Sequence, residues 1–544
     1  MSSKYRLLSF CAASGLAFAA AAVLASPAIA QTSDPAADAA QGPFARERDP
    51  AADAANDDVK RDRVIVVGQT DAPITVVPRG LSVSLGEEQF DAINAINVED
   101  LMKYAPNFFI RKRYIGDANG VPGFRGTHSS QSARTLAMVD GFVISNFLGN
   151  SFGFPPKWGV VGPGETKQFD IVYGPYSARY NGNSMGGVIS ITTKEPQNNE
   201  AFATAQYFVQ PYNQYATDDV YDGYSFEAGA GWRPGEGPFA MRASWRHFEN
   251  VGQPMSWYQF TASNAATGTP VTGAVIDPAL IIQTPIFASE SPDDNTQDQL
   301  RLRADLDVGA WKLQGLGVYW TTDSDRTKPQ IYIHDAAGNP VTSGVVEFGG
   351  QRWTPAAVPL ATTERVEVLT GVKAEGPLLG WDTSINLSHF WQDKDEAKQS
   401  NSYALGLTNG AGRLIRMNEP NWTTLDVTLE QTFGDHTVAF GMSANQYETE
   451  TDVYSTSNWR TAAGATLTNL TGGKTRLTGA FVEDEIRITD DISITPGIRI
   501  DRWEAFDGQV GRVPIGGGLP AACSIRTWKT RCSGSRASTS LALS

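Results

Sequence analysis

Beyond Glu200 the chain breaks into segments of about ten residues in which apolar and polar side chains alternate with a period of two. They fall at 203–209, 224–232, 239–248, 299–308, 311–320, 365–374, 384–391, 425–432, 437–447, 477–488 and 493–503. Successive side chains of a strand point to opposite faces, so each segment predicts a strand with one apolar and one polar side. Trp232, Trp311, Trp320, Trp381 and Trp391 stand near segment ends, as aromatic girdles do at a membrane–water boundary. Connections come in two lengths: 309–310 and 490–491 are short, whereas 261–298 and 324–363 are long and polar. Short turns on one side and long loops on the other suit a membrane barrel. The segments by themselves leave a soluble sandwich or propeller open.

With 544 residues and a net charge of −15, the chain lacks the repeated apolar runs of about 20 residues that a helical membrane protein needs. One such run opens it. Lys4 and Arg6 precede an apolar stretch to Leu24, and Ser26-Pro27-Ala28-Ile29-Ala30 ends in a small-residue cleavage pattern. Residues 1–30 therefore read as a signal peptide. Of three cysteines, Cys11 lies in it, and Cys523 and Cys532 stand far downstream; no disulfide framework is expected. The acidic balance offers no basic face for nucleic acid. Residues 31–61, in which DPAADAA occurs twice, are too poor in large apolar side chains to order themselves and read as a spacer. The spacer ends at Asp62, Arg63, Val64, Ile65, Val66, Val67 and Gly68, whose four consecutive β-branched residues favour an extended ribbon.

Residues 71–196 read as a compact α/β mixture. Asn97 can cap a short helix over 98–104 that Pro106 ends. Apolar strands are expected at Phe108-Phe109-Ile110 and at 135–139, the second closing in an Asp140-Gly141 turn. Arg125-Gly126 lies between them. The densest pattern is VYGPYSARYNGNSMGGVISITTK, 172–194: a Gly174-Pro175 turn, a small-residue connection, the close pair Gly186-Gly187 and an alternating strand. Physically it is a tight strand–turn–strand joint.

In this order the elements V-E-D-L-M-K-Y-A-P, F-R-G, M-V-D-G and GPYSARYNG…GGVISITTK resemble the plug domain of TonB-dependent outer-membrane receptors. The resemblance covers 64–194 by motif and the rest by pattern. It implies a small α/β plug inside a transmembrane antiparallel β-barrel, in the outer membrane of a Gram-negative bacterium. Residues 62–68 then resemble the box that the periplasmic TonB energy-coupling protein captures by strand addition, and the partners implied are TonB with its proton-driven complex, outer-membrane lipid and a scarce ligand. A ferric siderophore is the first ligand expected; cobalamin, haem or a saccharide are alternatives within the family. Its plug loops would present Arg113, Tyr114, Ser130, Gln131, Phe147, Phe154 and Trp158 to the ligand, guanidinium and aromatic groups suited to an anionic chelate. Arg125, Gly126, Asp140, Gly141, Gly174, Pro175, Gly186 and Gly187 would hold the plug in shape. The family usually has Arg where Tyr173 stands, and that Arg helps to pin the plug to acidic groups on the wall; here Arg125 is the remaining candidate. The family's barrel has 22 strands, whereas residues 200–503 supply about a dozen. After Trp503 the alternation fails, and 504–544, Ser- and Arg-rich, read as an aberrant, possibly frame-shifted tail of a truncated barrel.

Catalytic chemistry finds little support. Gly472-Gly473-Lys474-Thr475 lacks the upstream glycine of a phosphate loop, where Thr468 stands. His128, His247, His334, His389 and His436 show no zinc spacing, and Asp117-Ala118-Asn119-Gly120 lacks the distal Glu of a calcium loop. No cofactor and no enzyme activity are expected. A passive porin or adhesin, and a secreted β-rich enzyme or lectin, are the rival readings.

Overall fold

The computed structural model describes residues 82–512 apart from 126–134, 150–152, 175–176, 236, 280, 282, 419 and 490–491, with the backbone of 526–528 and 532–543. The TonB-box-like segment 62–68 and Gly126, Ser130, Gln131 and Pro175 lie outside the described residues. All that is described belongs to one compact unit, Val66–Ser544.

Seven strands come first: β1 (Ser82–Gly86), β2 (Phe108–Arg111), β3 (Val121–Phe124), β4 (Thr135–Val139), β5 (Phe142–Val143), β6 (Thr166–Tyr173) and β7 (Gly187–Thr193). Five of them form one sheet in the order β1-β6-β7-β4-β5, and β2 pairs with β3. The joint read from 172–194 is the antiparallel β6–β7 pair, with Val172 opposite Val188. Its close approach is real: a Cβ on Gly187 would lie 2.2 Å from the Phe124 ring. The helix expected over 98–104 is instead a 3₁₀ turn, Val98–Met102. Asn97 is its N-cap residue, as expected; its amide donates to Glu99 and to the Asp117 carbonyl, while Asp100 reaches back to the Ile96 and Asn97 amides.

A second sheet of fourteen strands follows. In chain order these are β8 (Glu200–Gln214), β9 (Thr217–Trp232), β10 (Phe239–Gly252), β14 (Asp293–Val308), β15 (Trp311–Arg326), β18 (Ala361–Leu378), β19 (Trp381–Ser400), β20 (Gly412–Met417), β21 (Asn421–Phe433), β22 (His436–Thr456), β23 (Thr466–Thr489), β24 (Ile492–Arg512), β25 (Arg526–Trp528) and β26 (Cys532–Leu543). Both β20 and β21 pair with β19 and β22, and both β25 and β26 pair with β24. Each couple thus fills one place, and the sheet has about a dozen strand positions, as the alternation predicts. Strands are longer than the segments that announce them, up to 24 residues in β23, because pairing continues past the span that lipid would cover. β24 runs beyond the expected limit at 503 to Arg512, and the backbone of 532–543 pairs with it. Backbone pairing needs no alternation, so sequence pattern could not see it. Among the described residues no pairing joins β8 to β26.

The sheet is inside-out relative to a soluble protein. Along β14, Asn295, Gln297, Gln299, Arg301, Arg303 and Asp305 are buried, while Leu300, Leu302 and Leu306 are exposed. Met241, Trp245, Tyr319, Val372, Leu387, Met442, Ile498 and Ile500 extend the exposed apolar face. One polar face turned to a filled interior and one apolar face turned outward is what a lipid-bounded barrel requires.

The long connections hold the one surprise of the fold. They contribute β11 (Trp257–Ala262), β12 (Thr269–Pro270), β13 (Ile286–Ser289), β16 (Val346–Phe348) and β17 (Gln351–Pro355), a sheet in the order β12-β16-β17-β11-β13. Phe260, Phe287, Ile333 and Val346 give it a separate core. Tyr215 donates to Asp277 at 2.7 Å, and Thr217 and Tyr332 share a 2.6 Å hydrogen bond, tying this module to the β8–β9 turn.

Candidate functional site

A chamber of about 340 Å³ opens between the plug and the inner face of β14–β19, at the long-loop end. The plug contributes Arg113, Tyr114, Asp117, Phe154 and Lys157; the wall contributes Asp293, Trp320, Arg326, Arg365, Glu367 and Asp395. Arg113 forks onto Asp117, Nε to Oδ2 at 2.9 Å and Nη2 to Oδ1 at 2.7 Å. Burial pushes the Asp117 carboxyl up, but this fork outweighs it and holds the group below its usual range. Arg365 donates to Asp395 at 3.3 Å. Each guanidinium is engaged on one edge and open on the other, Arg113 38% and Arg365 46% exposed, and the two feel one another's charge. Two cations facing one cavity from opposite walls favour a ligand with negative charge between them.

Below the chamber the plug is held to β10, β14 and β15 by buried ions. Arg301 donates to Glu165 at 3.0 Å, to Asp140 at 3.2 Å and to the Thr193 hydroxyl at 2.7 Å. Arg242 donates to Glu165 at 2.9 Å, and Arg303 to Thr193 Oγ1 at 3.0 Å. Asp140 also accepts the Thr193 amide and hydroxyl and the Gln314 amide. Burial alone would raise the Asp140 carboxyl; Arg303, Arg301 and Thr193 outweigh it and keep the group below its usual range. On the other side Arg179 enters from the plug, pairing with Glu430 and, at 3.4 Å, Glu483.

The residues expected from sequence divide accordingly. Arg113 and Phe154 line the chamber. Tyr114 lines it too, but its hydroxyl donates to Asp293 at 2.6 Å and its side chain is buried, so it acts as a strut between plug and wall. Burial and the Asp293 charge push that phenol well above its usual value. Two expectations fail. Trp158 is buried and donates its indole N–H to the Gly120 carbonyl at 2.6 Å, so it is core and faces no ligand. Phe147 packs against the plug core and the Tyr447 ring, 5.6 Å between centroids, away from the chamber. Arg125 is exposed and stands over the Tyr173 ring at 5.5 Å, in no buried pair. Its expected pinning role falls to Arg179. Of the plug motifs, Asp140 and Gly141 have φ of 52° and 90°, Gly141 faces Asn386, and Gly187 packs on Phe124. Sequence reading missed Arg365: it shares the inward side of β18 with Thr363 and Glu367, but alternation alone does not tell which inward residues reach the chamber.

Comparison with known proteins agrees with this geometry. Residues 74–188 match the TonB-dependent receptor plug domain, and residues 346–522 match the TonB dependent receptor-like β-barrel. No curated protein matches the sequence. Among solved structures, an unliganded ferric citrate transporter is similar at 14% identity and a TM-score of 0.53, over 86% of this chain and 60% of that one. A copper transporter is similar at 11% identity and 0.52, over 85% and 60%. The ferripyoverdine receptor of the outer membrane of Pseudomonas aeruginosa is similar at 14% and 0.50, over 80% and 53%. At these identities the likeness is one of fold, and the chain spans three fifths or less of each. A plug whose motifs fall in the family's order, latched inside a sheet of inside-out strands, places the chain in the TonB-dependent receptor family.

Proposed function

We propose that the protein imports an anionic metal chelate, in the first instance a ferric siderophore, across an outer membrane, with the work drawn from the inner-membrane proton gradient through TonB. The observation that carries the ligand class is the pair Arg113 and Arg365, open-edged on opposite walls of one chamber. Guanidinium groups bond the oxygens of carboxylate, catecholate or hydroxamate arms, and charge assistance roughly doubles the strength of such bonds. The described lining holds no His or Cys, so its chemistry suits a ligand that carries its own iron donors. Energy coupling rests on residues 62–68, whose four consecutive β-branched side chains favour the extended form that a partner can take as an added strand.

The test is accumulation of radioactive iron in cells expressing the gene, supplied as ferric citrate and as a ferric hydroxamate. Gene-dependent uptake that disappears on deleting residues 62–68 is expected. Uptake untouched by the deletion would reduce the protein to a passive pore.

A further inference from the structure

The inner face of β18–β22 carries a graded series that the adjoining wall of β10, β14 and β15 does not. Strand residues two apart share a face, so each strand can be followed from the chamber downward. On β18 the series runs Glu367, Leu369, Gly371, Lys373; on β19 it runs Gln392, Phe390, Ser388, Asn386, Ser384; on β21 it runs Trp422, Thr424, Asp426, Thr428. Glu367 and Gln392, the upper members on β18 and β19, line the charged chamber. The lower members, Lys373, Ser384, Asn386, Asp426 and Thr428, line a second cavity of about 100 Å³ against Asn181 and Ser190 of the plug. That volume equals about three waters. Leu136, Met138 and Val143 of the plug close the cavity's apolar side. Asn181 is buried and its Oδ1, like that of Asn386, finds no partner among the described residues, so on the wall side the cavity is sized and lined for water.

Between the two cavities lies an aromatic block. Phe390 and Trp422 are fully buried and stack at 3.9 Å with 13° between planes. Tyr447 continues the block, 5.7 Å from Trp422. The Trp422 indole N–H donates to the Val143 carbonyl at 3.1 Å, so a wall residue is tied to β5, an edge strand of the plug sheet. From Phe390 to Asn386 the strand advances about 13 Å.

We propose that Phe390 and Trp422 form a gate. The transported ligand passes along β18–β22, from the charged chamber, past this ring pair, into the polar cavity. An apolar constriction between two hydrated spaces closes by excluding water. The plug holds it shut through Val143. Force applied ahead of β1 crosses the sheet in the order β6, β7, β4, β5, and a shift of Val143 releases the indole. The adjoining wall of β10, β14 and β15 has no such route, since Arg242, Arg301 and Arg303 fill it with ion pairs. This inference rests on the import reading, but its test needs neither ligand nor energy.

Cysteine is placed at Ser384 in the full chain carrying Cys523→Ser and Cys532→Ser, and a charged methanethiosulfonate is added outside intact, porin-deficient cells. Labelling is expected to be slow, to rise at least tenfold with Trp422→Ala, and to rise by a smaller factor with Trp422→Phe, which keeps a ring and loses the N–H. Ser244→Cys, buried on the ion-paired wall opposite Arg301, is expected to stay slow in all three backgrounds. Fast labelling of Ser384→Cys with Trp422 intact, no acceleration on its removal, or equal acceleration at Ser244→Cys would each overturn the gate. If Trp422→Ala fails to reach the membrane, Trp422→Phe decides. Iron uptake with and without residues 62–68 tests import separately, so either idea can fail alone.

Discussion

The two walls that hold the plug use opposite chemistry. Against β10, β14 and β15 the contact is ionic and dense: three barrel arginines, Arg242, Arg301 and Arg303, close on Asp140, Glu165 and Thr193 of the plug. Against β18–β22 two separate ion pairs, Lys157–Glu367 and Arg179–Glu430, stand apart, and the stretch around Phe390, Trp422 and Tyr447 is aromatic, with a cavity beyond it. Buried ions fix geometry at high cost, because a charge left without its partner in a poorly solvated place is strongly destabilising. Aromatic contacts hold less specifically and can part without stranding a charge. The contrast suggests one wall that anchors and one that yields.

The sharpest break in that contrast is Arg301→Ala. It leaves Asp140 and Glu165 buried with one cation fewer, and the loss expected is about 3–5 kcal/mol. Limited proteolysis of the folded protein across a urea series reads it as earlier cleavage in residues 82–196. A change below about 1 kcal/mol would mean that Arg242 and Arg303 close the gap, and the wall would lose its claim to be the anchor.

Next comes the chamber. Arg365→Ala removes a guanidinium open to ligand on one edge, and hydrogen bonds to charged groups contribute about 1.5–3 kcal/mol. Ferric citrate binding to isolated outer membranes is expected to weaken by about tenfold or more, while stability falls by no more than about 1 kcal/mol because the Asp395 pair is partly exposed. Equal losses in both would make Arg365 a wall residue only.

On the yielding wall, Gly371→Ala inserts a Cβ 2.7 Å from the Phe142 ring. Overpacking of this kind costs about 1–3 kcal/mol, and Phe142 neighbours Val143, the anchor of the Trp422 indole. The variant should therefore loosen β5 before the ion-paired wall. Hydrogen exchange followed by mass spectrometry should show faster exchange at 142–143 and unchanged exchange at 191–193; the reverse order would contradict the division of labour.

How much of this was legible follows from what each feature is made of. Alternation betrays a strand with unlike faces, so β10, β14, β15 and their neighbours announce themselves, and the Gly187 contact with Phe124 explains why a glycine pair marks the plug's last strand. The outer module did not announce itself. Val271, Phe287, Ile333 and Val346 are scattered through stretches too polar and irregular to show a period. Trp158 and Tyr114 were read as ligand groups because amphipathic aromatics on a loop look alike in sequence whether their polar atom meets a ligand or a carbonyl. Arg179 escaped notice inside a motif of small residues, although a lone cation there, opposite a barrel rich in Glu, is the signal that could have found it. Trp422 carries no local signal: its meaning comes from Val143, far away in the chain.

Acidification should separate buried carboxylates by sign. Asp140 is held below its usual range by Arg303 and Arg301 against the pull of burial. A carboxyl whose folded value is depressed contributes stability above the ordinary Asp value, near 3.9, and loses it as pH falls through the folded value. Glu99 is the opposite case. Burial raises it in spite of Lys112 at 3.2 Å, so its charge opposes folding near neutrality and protonation relieves it as pH falls. Asp140→Asn should therefore flatten the loss of stability below about pH 4, and Glu99→Gln should leave that limb intact. Urea midpoints at several pH values read both; an acid limb unchanged in Asp140→Asn would show that other groups set it.

The smallest effect expected is also the most direct statement about the plug. With Tyr173 standing where the family has its pinning Arg, Arg125 is the remaining candidate, yet it is exposed, lies at a φ of 46° and, among the described residues, stands over the face of Tyr173. A cation over an exposed ring contributes about 0.5–1 kcal/mol. Tyr173 is fixed independently, since its hydroxyl donates to the Pro106 carbonyl and its ring packs on Phe124 at 5.7 Å. Arg125→Ala should therefore shift the urea midpoint of plug release by only about a tenth to a third of the Arg301→Ala shift. Arg179→Ala, which strands Glu430 and Glu483, should approach Arg301→Ala in size. If Arg125→Ala proved as costly as either, the pinning role would lie with Arg125, and its exposed arrangement would not be the one that holds the plug.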